Sequence, residues 1–132
     1  MDDVPISLEL LAKWVEVPYE LWVTPTGICT GPAIYSWWVC DKIVYVGEAK
    51  NLRKRIGGYQ SPGPTQYTNQ TVHDFLCARV EAGCTVTLRR LAPVDTDAST
   101  PFDNIGDKWW RRGVENWLVW HYKGIGQAYL NL

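Results

Sequence analysis

The 132 residues carry 13 Lys and Arg against 14 Asp and Glu, a formal net charge of −1, with 46% hydrophobic and 20% charged residues. That length and composition describe one soluble globular domain with a sizeable core. The charge excludes the overall basicity of a stand-alone tight DNA binder, so any nucleic-acid surface is a local patch, or draws affinity from a metal, a partner or a dimer.

No apolar run approaches the roughly 18 residues of a membrane helix. The acidic start Met1-Asp2-Asp3 is unlike a targeting peptide, and a cytoplasmic location is expected. Cys29, Cys40, Cys77 and Cys84 form no C-x-x-C pair and neither histidine adjoins one. That spacing argues against zinc and for buried free thiols. The eight tryptophans are expected mainly in the core.

Along the chain, residues 1–32 are expected as an N-terminal extension packing on a core domain of residues 33–132. Within it Ser7 caps a short helix whose apolar stripe is Leu8, Leu10, Leu11 and Trp14, and Pro18 stops it. Tyr19 to Thr24 is expected extended, and Pro25 to Pro32 a loop. Ala33–Val39 and Ile43–Val46 are rich in β-branched and aromatic residues and read as a hairpin. A three-residue connection, Cys40-Asp41-Lys42, would place Val39 opposite Ile43 and both Tyr35 and Tyr45 on one face. Gly47 lets the chain leave the sheet. A basic helix over about 49–59 then places Arg55 and Tyr59, i and i+4, on a shared face, its end weakened by Gly57-Gly58.

Asn69 caps a second helix carrying Val72, Phe75 and Leu76, and Gly83 ends it. Residues 84–91 alternate as a third strand, and 92–106 form a long loop. The last helix spans about 107–123. On its wheel Trp109, Trp110, Trp117 and Trp120 share one side, while Glu115 lies with Lys108, Arg111, Arg112, Val119 and Tyr122 on the other. Residues 127–132 are a short extended tail. His73 and His121 read as structural. The element order predicts an α/β fold of the mixed (α+β) kind, a small three-stranded, mainly antiparallel sheet flanked by helices.

The run Gly31-Pro32-Ala33-Ile34-Tyr35, then Tyr45-Val46-Gly47, then Arg55, Tyr59, Glu115 and Asn131 resembles the GIY-YIG nuclease family over residues 31–132. Ala33-Ile34-Tyr35 stands for the first triplet and Tyr45-Val46-Gly47 for the second. Ala33 replaces the first glycine, which matters only if that position needs a positive φ, and Val46 replaces an isoleucine.

The resemblance implies a divalent-metal-dependent endonuclease hydrolysing DNA phosphodiester bonds. Glu115 would hold Mg²⁺ or Mn²⁺, since a hard cation is often bound by one or two carboxylates plus substrate oxygens. Arg55 offers a planar fork matched to phosphate. Tyr35 would activate or position the attacking water and Tyr45 orient water or phosphate, an adjacent cation and arginine favouring phenolate. Tyr59 takes a place where the family carries His or Tyr and would relay a proton, and Asn131 would fix the site by hydrogen bonds. Lys50, Arg53, Lys54, Arg111 and Arg112 are expected to form one basic strip on the DNA backbone. DNA is the expected partner, with RNA left open, and a protein partner or homodimer would supply affinity and specificity. Two alternatives stand beside this reading: a non-catalytic nucleic-acid- or protein-binding module on the same fold, and an unrelated aromatic-rich domain, favoured if Tyr35, Tyr45, Arg55 and Glu115 fail to converge.

Overall fold

The computed structural model describes residues 12–23, 27–94 and 101–131. The elements are β1 (Ala12–Val17), β2 (Ala33–Val39), β3 (Lys42–Ala49), α1 (Leu52–Gln60), α2 (Tyr67–Glu81), β4 (Val86–Pro93) and α3 (Lys108–Gly124). The strands form one antiparallel sheet in the order β1-β4-β2-β3. The fold is α+β as expected, with four strands in place of three.

The added strand is β1. Trp14 was expected on a helix, but it pairs with Leu91 across an antiparallel ladder from Ala12↔Pro93 to Val17↔Leu88. Without β1, β4 would present an open edge of unpaired amides and carbonyls. Ser7 to Leu11 lie outside the described residues, as does Thr24. The 19–23 segment is a turn closed by Val23 N–H donating to Glu20 C=O at 2.8 Å. It tucks Trp22 against Trp37 and stacks it on His73, with ring centroids 6.1 and 4.7 Å apart.

The hairpin differs from expectation at its tip. The connection is the two-residue turn Cys40-Asp41, with Val39 opposite Lys42. Both turn residues have positive φ, 47° and 66°, the twist that two-residue hairpins favour. Such a turn alone would send the two tyrosines to opposite faces. A bulge between Trp37 and Trp38 restores the parity: Trp38 pairs with Ile43 but Trp37 pairs with Tyr45, leaving Val44 as the extra residue. Tyr35 and Tyr45 therefore share a face. Cys40, expected buried, sits exposed at the turn, and Cys29 is also exposed; all four described cysteines are free thiols.

Each face of the sheet carries its own core. On the odd-numbered face of β2, Tyr35 and Trp37 pack with Leu52, Ile56 and Tyr59 of α1 and Val72 and Leu76 of α2. On the other, Ile34, Ile43, Val46 and Leu91 pack with Val114 and Leu118 of α3. α1 runs through Gly57 and Gly58 rather than fraying there. A Cβ at Gly58 would lie 3.1 Å from Asn69 Nδ2, so the small residue lets the two helices approach. The backbone carbonyls of Gly31 and Cys29 accept from Leu52 N–H and Arg53 N–H, and the Asn51 side chain accepts from Lys54 N–H, closing the α1 N-terminus. α2 begins at Tyr67, two residues before the expected Asn69 cap.

The tryptophans of α3 divide. Trp110 and Trp117 are half-buried beside the Val114–Leu118 seam, while Trp109 and Trp120 are each 72% exposed. Beyond α3 the tail covers part of the β3 edge, with Ala128 N–H donating to Ile43 C=O and Leu130 N–H to Val44 C=O. No helix among the described residues is long and apolar enough to cross a membrane.

Candidate active site

β3 is one of the sheet's two edge strands, and the candidate site gathers around its C-terminal half. Tyr35 of β2 lies opposite Gly47 of β3. A Cβ at Gly47 would collide with the Tyr35 ring and hydroxyl. Gly47 does not end the strand, which continues to Ala49; its bare backbone lets the tyrosine ring cross toward the sheet edge. Ala33 is a buried strand residue without positive φ, so its replacement of glycine carries no backbone strain.

Three tyrosines form a triangle on this face. Ring centroids are 6.5 Å apart for Tyr35–Tyr45, 6.1 Å for Tyr35–Tyr59 and 6.2 Å for Tyr45–Tyr59. The hydroxyls of Tyr35 and Tyr59 share a hydrogen bond of 2.6 Å, and both side chains are fully buried. Burial, reinforced by Tyr45, pushes the Tyr35 hydroxyl far above its ordinary value, and the Arg55 guanidinium only partly opposes it. Burial likewise raises Tyr45 and Tyr59. The expected stabilisation of phenolate by the arginine is thus outweighed by desolvation, and these groups serve as neutral hydroxyls that donate and accept hydrogen bonds.

Arg55, exposed in the first turn of α1, lies within electrostatic reach of all three tyrosines and of Glu48. Burial of its inner part lowers its basicity, and these neighbours more than restore it. Glu115 comes from α3, which packs on the opposite face of the sheet, yet its carboxylate acts on Tyr35 and Tyr45 and is acted on by Arg55. Desolvation, then the charge of Glu48, lifts its pKa to about 7 against the pull of Arg55 and Arg112. Tyr35, Tyr45, Tyr59, Arg55 and Glu115 therefore converge across the β3 edge, from both faces of the sheet.

Asn131 bonds to backbone rather than to the tyrosine hydroxyls. Its Oδ1 accepts from Val46 N–H at 2.9 Å and its Nδ2 donates to Val46 C=O at 2.8 Å, so it clamps the backbone between Tyr45 and Gly47. The expected basic strip is divided. Lys50 and Lys54 line a groove that Arg55 also borders. Arg53 Nε donates to Ile28 C=O at 2.9 Å. Arg112 is exposed and lies over the Trp109 ring, 5.4 Å from its centroid.

Arg111 was expected on DNA and beside Glu115, but it is 3% exposed. Its Nε donates to Glu48 Oε1 at 2.8 Å and its Nη1 to Ile105 C=O at 2.9 Å. It is a buried ion pair with no guanidinium face left for phosphate. Glu48 is the site residue that sequence reasoning missed. The signal was parity: following Gly47, it must point to the face that α3 covers, where Glu115 also lies. His73 is structural, its Nδ1 sharing a 2.7 Å bond with Tyr59 C=O.

Among the described residues no group of three His, Cys, Asp or Glu could hold a metal. A single carboxylate still fits a hard cation that keeps most of its oxygen ligands from water and substrate. Glu115 offers that donor, desolvated and facing a second negative charge that Arg55 and Arg112 do not offset.

No protein-family model matches the chain, and no curated protein does. Among solved structures, a mutant form of bacteriophage T4 EndoII is similar to it, at 23% identity over 64% of this chain and 68% of that one, with a TM-score of 0.48.

Proposed function

We propose that this protein is a divalent-metal-dependent endonuclease of the GIY-YIG type that hydrolyses DNA phosphodiester bonds. The observation that carries this reading is the convergence of Tyr35, Tyr45, Tyr59, Arg55 and Glu115 at one edge of the sheet, from elements up to 80 residues apart in sequence. A domain that used these residues only for packing would not need a desolvated carboxylate beside an exposed guanidinium and three hydroxyls.

In this reading Arg55 grips the non-bridging oxygens of the scissile phosphate, and its charge offsets the negative charge that grows there. The half-buried Tyr45 orients the attacking water through its hydroxyl, and the hydrogen-bonded Tyr35–Tyr59 pair packs against its ring. Because burial keeps all three hydroxyls protonated, Tyr45 acts as a relay: it takes the attacking water's proton as it gives its own to solvent water, and the departing oxygen takes a proton from solvent as the P–O bond breaks. Glu115 would hold Mg²⁺ or Mn²⁺, which when bound polarises phosphoryl oxygen and stabilises the leaving group. Glu48 is kept from this role by Arg111 and raises the need for a cation at Glu115.

Supercoiled plasmid incubated with the protein and Mg²⁺ or Mn²⁺ should convert to open-circle and linear forms, and EDTA should stop it. Cleavage that persists in EDTA, or intact plasmid in both metals, contradicts the reading.

A further inference from the structure

Arg55 also borders a groove of about 910 Å³ that the catalytic reading does not use. One wall is the β3–α1 corner, with Lys50, Asn51 and Lys54; the other is the start of α2, with Thr65, Tyr67 and Asn69. Three cations line it and, among the described residues, no carboxylate does, although the whole chain carries −1. Threonine hydroxyls and amides supply the remaining polar surface, the donor types that hold phosphate and sugar. Tyr67 is 72% exposed at the groove's far side.

That tyrosine stands on a braced element. Gln66 Oε1 accepts from Gly63 N–H at 2.9 Å and from Asn69 Nδ2 at 3.2 Å, and Gln70 Nε2 donates to Gly63 C=O at 2.7 Å. Gln66 is thereby committed to the loop and makes no side-chain cap on α2, whose positive end adds to the field in the groove. The ring thus projects from a braced element and lines the same groove as Lys50, Lys54 and Arg55.

We propose that this groove holds an unpaired DNA strand leaving the scissile phosphate, with one base stacked on Tyr67, so that the enzyme prefers substrates having unpaired nucleotides beside the cut. The proposal rests on the nuclease reading for the position of the cut. A ring can stack only on a base that has left the duplex. Cations from the β3–α1 corner and the Tyr67 ring from the start of α2 line one groove, the combination of backbone and base contacts that a single strand uses. Stacking also answers the charge shortage: three cations alone make a weak, salt-sensitive backbone grip, and a sequence-tolerant aromatic contact supplements it without further charge.

The test uses the full chain carrying Glu115→Gln, with fluorescein-labelled single-stranded DNA and a blunt duplex of the same sequence, read by fluorescence anisotropy in Mg²⁺. The single strand should bind more tightly than the duplex. Tyr67→Ala should weaken single-strand binding by about tenfold or more and leave duplex binding within about twofold, and Tyr67→Phe should retain the preference. Lys54→Ala should weaken single-strand binding more than duplex binding. Equal losses on both probes, an unchanged single strand with Tyr67→Ala, or tighter duplex binding overturns the proposal. Wild-type plasmid cleavage is scored separately: a protein that cuts nothing yet shows the Tyr67-dependent preference refutes the nuclease reading and keeps the strand groove, whereas cleavage without that preference does the reverse.

Discussion

Replacing Glu115 by glutamine should remove activity and yet make the metal-free protein more stable at alkaline pH. The carboxyl titrates at about 7 in the folded chain, against an ordinary 4.5, because burial and Glu48 disfavour its charge. The folded state therefore binds this proton more tightly than the unfolded state. Its stabilising contribution is complete below pH 4.5 and is lost as pH rises through about 7. The full shift corresponds to roughly 3 kcal/mol. Glu115 is half-buried, and solvent screening reduces that to about 1–2 kcal/mol. Glutamine keeps the shape and carries no charge, so Glu115→Gln should melt about 3–8 °C higher than wild type near pH 8.5 in EDTA and equally at acid pH. Mg²⁺ should raise the wild-type melting temperature at pH 8.5 and leave the variant unmoved. Scanning fluorimetry at the two pH values measures all of this. A variant that melts lower at pH 8.5, or whose gain is the same at both pH values, refutes the desolvated carboxylate.

Gly47→Ala should cost about 1–3 kcal/mol in urea unfolding, because the new methyl meets a buried Tyr35 that Tyr59 holds in place; a neutral substitution would mean that the ring does not cross there. Arg111→Met should cost roughly 3 kcal/mol by stranding Glu48 in the protein. A stable Arg111→Met protein with weakened DNA binding would instead return Arg111 to the surface role first expected of it.

Periodicity made much of this fold legible: the hairpin strands, three helices and β4 stand where apolar spacing and turn residues put them. β1 was hidden because six residues centred on Trp14 fit a helical stripe as well as a ladder, and only the open edge of β4 decides between them. The tip of the hairpin was misread because Cys40 and Asp41 adopt positive φ without glycine, and the shared face of the tyrosines survived only through the bulge at Val44. Candidate site residues could be named from the order of the triplets, Arg55 and Glu115. What lay beyond the sequence was the pairing of Glu48 with Arg111, 63 residues away, which removes a cation from the surface and adds a charge beside Glu115. Likewise, no spacing rule says that burial outweighs Arg55 at the tyrosine hydroxyls. That balance depends on how deeply α1 presses Tyr59 against the sheet.

The most direct test of the account is the single-turnover cleavage rate of wild type, Arg55→Ala, Glu115→Gln and the double variant on one DNA substrate, at matched fold stability. If the cluster acts as a unit, each single change should slow cleavage by about a hundredfold or more, and the double should fall little further than the worse single. A Glu115→Gln protein that cuts at close to the wild-type rate would show that the carboxylate at the β3 edge takes no part in the chemistry.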